Sequence, residues 1–198
     1  MGNILEMRGI CKSFGEVQSL ADVDFCVAEN EIVGLLGDNG AGKSTLIKIL
    51  SGAYQPDAGG VIEFEGKPRV LNPRQAIELG IQTIYQEHNI FPHLSVTENI
   101  FAGLEIMKGI RIDSGKMQAR GKETLDYLRC SFSPDTPAGE LTSGERKVGE
   151  IAKALVFQRK IIILDEPTAS FAVSEIDMLL EVVKKVVSTG IAVVYISH

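Results

Sequence analysis

The sequence predicts an α/β fold with a mostly parallel sheet around a phosphate-binding loop, an N-terminal antiparallel β subdomain and an inserted helical subdomain. Three observations lead there. Glu31-Ile-Val-Gly-Leu-Leu36, an apolar run of buried-strand type, enters a glycine-rich turn and then Thr45-Leu-Ile-Lys-Ile-Leu50, whose apolar spacing is helical. Lys160-Ile-Ile-Ile-Leu-Asp165 and Ile191-Ala-Val-Val-Tyr-Ile196 repeat the buried-strand pattern expected of a parallel sheet. Between these core strands, residues 92–140 change character and read as helix.

Taken in order, Val23, Phe25 and Val27 alternate with Asp22, Asp24 and Cys26, the signature of a half-buried strand. Pro56-Asp-Ala-Gly-Gly60 is a turn, and Val61-Ile-Glu-Phe-Glu65 alternates again, so several antiparallel-type strands surround the loop and its helix. Pro73-Arg-Gln-Ala-Ile-Glu-Leu79 predicts a short helix with proline at its first position, and Ile81-Gln-Thr-Ile-Tyr85 a strand. Ser95-Val-Thr-Glu98 is a capping box opening a helix through Ile100, Phe101 and Leu104. Residues 115–130 are helical until Ser133-Pro-Asp-Thr-Pro137 breaks the run. After Asp165, a helix places Ile176, Leu179, Leu180, Val183 and Val187 on one face, and Gly190 ends it. The expected organisation of residues 1–198 is one domain, with a core and β subdomain at 1–91 and 141–198 and a helical subdomain at 92–140. Because a parallel sheet normally continues into a covering helix, the stop at His198 reads as a C-terminal truncation.

Composition narrows the class. With 198 residues and 44% hydrophobic content the chain can bury a substantial core. A net charge of −6 argues against broad nucleic-acid binding, which needs a basic face. Cys11, Cys26 and Cys130 are scattered, fitting a reducing compartment and showing no metal-ligand spacing. The N-terminus lacks the apolar stretch of a signal peptide, and no apolar run reaches the ~18 residues needed to span a bilayer. Any membrane role is expected to go through a partner.

Residues 37–45 carry the chemistry. Gly37, Gly42, Lys43 and Ser44 fall on the spacing Gly-x-x-x-x-Gly-Lys-Ser/Thr, with Asp38, Asn39, Gly40 and Ala41 between and Thr45 after. Glycines let successive N–H groups point into one concavity at a helix N-terminus, which suits a phosphate. Lys43 can reach the β- and γ-phosphates of a nucleotide, and the Ser44 hydroxyl can bind Mg²⁺. Asp165, at the carboxyl end of an apolar strand, can hold the same ion, and Glu166 can polarise an attacking water as general base. Leu141-Thr-Ser-Gly-Glu145 leads into a helix and forms a second candidate anion site from Thr142, Ser143, Gly144 and Glu145.

The phosphate loop, Gln86 after a strand, the 141–145 segment, Asp165-Glu166-Pro167-Thr168 and a terminal Ser197-His198 occur in an order that resembles the ATPase of an ATP-binding cassette (ABC) transporter, a P-loop NTPase fold. The likeness covers the whole chain and is nearest to the first cassette of bacterial monosaccharide importers of the ribose, galactose and xylose types. Ser51-Gly-Ala-Tyr-Gln-Pro-Asp57, Ile84-Tyr-Gln-Glu87, Leu94-Ser-Val-Thr-Glu-Asn-Ile100 and Glu150-Ile-Ala-Lys-Ala-Leu155 carry it. The resemblance implies that Phe14 stacks on adenine, that Gln86 senses Mg²⁺ and the attacking water, and that His198 contacts the γ-phosphate. It further implies that the 142–145 segment caps ATP bound to an opposite cassette, and that residues near 87–110 receive a membrane permease. ATP and Mg²⁺ are the implied cofactors, a periplasmic or lipid-anchored sugar-binding protein an indirect partner, and the cytoplasmic face of the membrane the implied location.

Two positions depart from the family pattern. The signature glutamine is Glu145, which accepts hydrogen bonds but cannot donate as an amide does. At ~8 Å from a phosphate in a medium of effective dielectric about 20, repulsion is on the order of 2 kcal/mol per unit charge, so the composite site is expected to be weakened. Ala172 stands where many cassettes carry aspartate. These departures keep open a nucleotide-gated clamp with little hydrolysis, and an importer ATPase for nucleosides or another small solute.

Overall fold

The computed structural model describes residues 2–87, 89–168 and 171–197. These divide into two units, residues 1–83, 159–166 and 187–198 forming the first and residues 84–158 and 167–186 the second. In chain order the elements begin with β1 (Asn3–Phe14), β2 (Val17–Ala28), β3 (Ile32–Leu36), α1 (Lys43–Leu50), β4 (Val61–Phe64), β5 (Lys67–Pro68), α2 (Pro73–Leu79) and β6 (Ile81–Ile84). Next come α3 (Val96–Phe101), β7 (Met107–Lys108), β8 (Arg111–Ile112), α4 (Ser114–Leu128) and α5 (Ser143–Val156). The chain then returns through β9 (Ile161–Asp165), α6 (Val173–Val187) and β10 (Ala192–Ser197).

In the first unit, the alternating N-terminal segments form an antiparallel sheet of order β2-β1-β4-β5. β1 and β2 reverse at Gly15, whose φ of +59° suits a residue without a Cβ. A second sheet has the order β3-β10-β9-β6, with β3 and β9 both parallel to β10. β9 earns its apolar run: Ile161, Ile162, Ile163 and Leu164 are all buried. One apolar cluster joins the sheets, with Leu5, Met7 and Ile10 from β1, Ile161 and Ile163 from β9, and Ile47, Ile49 and Leu50 from α1. Each such side chain contributes roughly 1.5–3 kcal/mol on burial, which fixes α1 and the loop before it. β3 departs from expectation. It lies at the sheet edge, where Ile32 and Leu36 are 47% and 69% exposed, so it is not the buried strand its composition suggested.

The second unit contains residues 92–140 together with α5 and most of α6. The Ser95 capping box forms as expected, Ser95 Oγ accepting from the Glu98 N–H at 3.2 Å and Glu98 Oε2 accepting from the Ser95 N–H at 2.8 Å. The Ser95 N–H and the Ser95 hydroxyl both donate to Glu98 Oε2, at 2.8 Å each, and hold the Glu98 carboxyl below its ordinary range. The helix stops at Phe101, short of Leu104, because the chain turns at Gly103 (φ +77°) and the Leu104 N–H bonds back to Phe101 O at 2.8 Å. α4 also stops early, at a left-handed Arg129 (φ +60°), before the expected breaker at 133–137. β7 and β8 form an unexpected hairpin turning at Gly109 (φ +66°); two-residue strands are too short to show alternation. On α6 the buried stripe is Leu179, Val182, Val183 and Val186, so Leu180, expected inside, is 40% exposed. Among the described residues, no helix is long and apolar enough to cross a membrane.

Candidate nucleotide-phosphate site

Parallel register brings the candidate residues of the first unit to one edge. Leu36, the last residue of β3, pairs with Ser197, and Asp165, the last of β9, pairs with Ile196. The loop leaving β3 and the acidic pair leaving β9 therefore emerge at the carboxyl ends of the two parallel strands that flank β10, the edge where open α/β sheets bind ligands. There a cleft of about 150 Å³ is lined by Ser19, residues 38–45 and Glu166.

The loop passes into α1 at Gly42, which has φ +87° and gives the helix no side-chain cap. The first-turn amides are thus left uncapped in the cleft wall, where an anion can satisfy them. Gly42 is required twice over. An L-residue resists its backbone conformation, and a Cβ would lie 2.5 Å from Ser19 O and 2.7 Å from Leu20 Cδ2. Gly42→Ala is expected to cost about 2–5 kcal/mol, from the left-handed backbone and the overpacking together, and to lower Tm by roughly 5–15 °C. Calorimetry checks this; a Tm within a degree of the parent chain would contradict it.

Lys43 is nearly buried, 9% exposed, and its ammonium is folded over the loop. Nζ donates to Gly37 O in a short contact and to Asp38 O at 3.0 Å. Ser19 Oγ and Thr45 Oγ1 share a hydrogen bond at 2.8 Å, tying β2 to the first turn of α1. Glu166 completes the opposite wall. Its φ is +44°, left-handed for a residue with a side chain, and its N–H donates to Ile196 O at 3.2 Å. Such a conformation costs on the order of 1–3 kcal/mol and persists where the surroundings over-determine it.

Asp165 is half-buried at the end of β9, one residue before the cleft wall, and Ser44 is an exposed hydroxyl at the start of α1. A hydroxyl and a carboxylate are hard oxygen donors of the kind Mg²⁺ takes, with phosphate oxygens and water filling its remaining positions. Among the described residues no cluster of three His, Cys, Asp or Glu side chains could hold a resident metal. Ser44 and Asp165 are oxygen donors of the type that would suit an ion arriving with a nucleotide.

Phe14 closes β1, 45% exposed, in a T-shaped contact with Tyr54 at 5.4 Å between centroids. Asp57 pins this strand end by accepting from the Ser13 N–H at 2.7 Å and from Lys12 Nζ at 3.0 Å. The Lys12 bond holds the Asp57 carboxyl below its usual range.

The remaining candidates belong to the second unit, except His198, which lies outside the described residues. Gln86 is exposed in a bend after β6. Thr142 caps α5 in a capping box: the Glu145 N–H reaches Thr142 Oγ1 at 3.3 Å, and the Thr142 N–H reaches Glu145 Oε2 at 3.0 Å. Ser131 Oγ also donates to Glu145 Oε1 at 3.2 Å, so this carboxylate is spent locally. The Gly144 N–H donates to Glu175 Oε1 at 3.0 Å, and Ala172 N–H to Glu175 Oε2 at 3.0 Å. Those amides, Ala172 first, hold the Glu175 carboxyl below its ordinary value. A Cβ at Gly144 would lie 2.9 Å from Glu175 Cβ, so this glycine is also a matter of space. Sequence reasoning missed both Ser19 and Glu175. Ser19 belongs to no motif, whereas Ala172-Val-Ser-Glu175 shows half of a capping pattern.

Known proteins share this fold. Residues 20–169 match the ABC transporter family. The ribose import ATP-binding protein RbsA 1 of Rubrobacter xylanophilus is 44% identical over 199 residues, covering all of this chain and 40% of that protein. RbsA of Bacillus subtilis is 42% identical over 195 residues, covering 98% of this chain and 40% of its own length. The chain thus spans about two fifths of the curated relatives it matches. An ATP-binding cassette of an ABC transporter solved in its ADP conformation superposes with a TM-score of 0.88 at 30% identity, covering 100% of this chain and 82% of that one. A nucleotide-free cassette gives 0.86 at 29%, with the same coverage.

Proposed function

Because this chain belongs to the ABC transporter family, we propose that it is an ATP-hydrolysing cassette that drives import of a monosaccharide, with ribose as the first substrate to test. The observation that carries this reading is the single cleft in which Lys43, the uncapped first turn of α1 and Glu166 face one another. The amides of residues 40–44 and the Lys43 ammonium bind the β- and γ-phosphates, and Phe14 offers its exposed ring to the adenine. Ser44 and Asp165 would hold a Mg²⁺ ion, which would supply neutralisation of the phosphate charge. Glu166 accepts a proton from the attacking water, the bond to the bridging oxygen breaks, and ADP and phosphate leave.

The relatives' greater length supports a second cassette on the same polypeptide, a homodimer being the alternative. In a closed pair, Thr142, Ser143, Gly144 and Glu145 cap the nucleotide held by the other cassette, whereas Gln86 and His198 act on the γ-phosphate in this cassette's own site. The pair works at the cytoplasmic face of the membrane on a permease served by an external sugar-binding protein, with no nucleic-acid partner. The test is reconstitution of the intact polypeptide with its co-purifying permease in vesicles. Ribose-dependent uptake coupled to ATP hydrolysis is expected. Uptake of a nucleoside but not of any monosaccharide would redirect the substrate, and hydrolysis-independent behaviour would favour the clamp.

A further inference from the structure

Lys147 is the most deeply buried cation among the described residues, its side chain 1% exposed on α5. Nζ donates to Tyr85 O at 2.6 Å and lies 2.8 Å from Glu150 Oε2. Glu150, 11% exposed and one turn along the same helix face, accepts the Asn89 N–H on Oε1 at 2.9 Å. The ion contact to Oε2 is off the hydrogen-bond axis, and among the described residues no hydrogen bond reaches that oxygen. Tyr85 and Asn89 bracket the stretch that contains Gln86. Both prongs therefore come from one helix and grip the two ends of one short loop.

A buried ion pair is an inefficient way to fill space. Desolvation offsets most of the Coulomb gain, and apolar side chains of similar volume are often as stabilising or more so. What the pair provides and a methionine–leucine pair does not is two directional bonds to backbone groups 85 and 89. α5 begins at the Thr142 cap, little more than one turn before Lys147. We propose that Lys147 and Glu150 are positioning residues: they strap the Gln86 loop to α5, so that the loop and the 142–145 helix start shift as one body. The catalytic consequence rests on the ATPase reading above; the strap itself does not.

The test is the double variant Lys147→Met/Glu150→Leu in the intact polypeptide, which removes both prongs without stranding a charge. Its Tm should equal or exceed that of the parent, whereas amide exchange at 85–89 should accelerate about tenfold or more, the loss expected for hydrogen bonds to charged groups. Exchange at 151–155 should be unchanged. For ATP hydrolysis, kcat should fall about tenfold with KM moving less than twofold, since nucleotide contacts are untouched. Glu150→Gln keeps an acceptor for Asn89 and should restore its protection. If the double variant does not fold, Glu150→Ala, which retains the Lys147–Tyr85 bond but leaves the Lys147 charge unpaired, carries the exchange and kcat measurements with a lowered Tm. Exchange at 85–89 within twofold of the parent overturns the strap, and unchanged kcat alongside faster exchange overturns the positioning role. A parent protein without ATPase activity would sink the functional reading instead, while the exchange result still decides the strap.

Discussion

Glu166→Gln is expected to lower ATP turnover by about 10²–10⁴-fold, the usual contribution of a positioned general base, while leaving ATP affinity within about twofold. Glutamine has the same shape and keeps a carbonyl oxygen in the cleft wall, but its amide cannot take a proton from water. The backbone argument supports a clean substitution. Glu166 is held at φ +44° by its N–H bond to Ile196 O, a main-chain constraint that a side-chain change does not disturb. The left-handed turn is what brings the residue after β9 into the cleft, where Asp165 is not among the lining residues. Single-turnover hydrolysis and equilibrium nucleotide binding on the intact polypeptide measure the two quantities separately. Turnover within threefold of the parent would remove Glu166 from the chemistry and leave the chain as a clamp that senses ATP without consuming it.

What could be read in the sequence was whatever is fixed within a few consecutive residues. The phosphate loop is local because one strand end, one turn and one helix start must be contiguous, so Gly42, Lys43 and Ser44 identify it unaided. The acidic strand is nearly as local: four apolar residues fix its burial and Asp165 its polarity. Capping boxes at Ser95 and Thr142 follow from a three-residue spacing, and both are formed. Strand order is different. Nothing in Ile32-Val-Gly-Leu-Leu36 says that it lies at an edge, because that depends on β10 inserting beside β9 some 160 residues later.

Side-chain partners were the least legible. Ser19 enters the cleft from β2, tied to Thr45 of α1 by a hydroxyl–hydroxyl bond, and Glu175 reaches the Gly144 amide across 31 residues. Lys147 is buried with its ammonium on the Tyr85 carbonyl, 62 residues away in the chain, a pairing that no local pattern announces. The expected stripe on α6 shows how little separates a right face from a wrong one. Leu179 and Val183 are inside as expected, but the stripe continues through Val182 and Val186, turning Leu180 outward. Glu145 gave a different lesson. Its charge reads as an intrusion on a phosphate site, whereas in the folded chain it is engaged by Thr142 and Ser131 at the start of its own helix.

Lys43→Met is expected to weaken ATP binding about 10- to 150-fold, the range for losing a charge-assisted hydrogen bond to phosphate. The loss should be graded by phosphate number: large for ATP, smaller for ADP, absent for AMP, which lacks the phosphates Lys43 would reach. That grading separates a lost contact from a damaged fold, since a collapsed loop would weaken all three alike. The structure supports the separation. Among the described residues Lys43 bonds only to loop carbonyls, Gly37 O and Asp38 O, while the helix behind it is anchored by Leu46, Ile47, Ile49 and Leu50 in the apolar cluster. Methionine fills the buried part of the lysine stem and leaves that anchor in place. Lys43→Arg should not rescue fully, because a planar fork cannot nest among the same carbonyls as a compact ammonium does. Titration of the three nucleotides by calorimetry reads the series directly, and equal losses for AMP and ATP would show that Lys43 shapes the loop and does not grip the triphosphate.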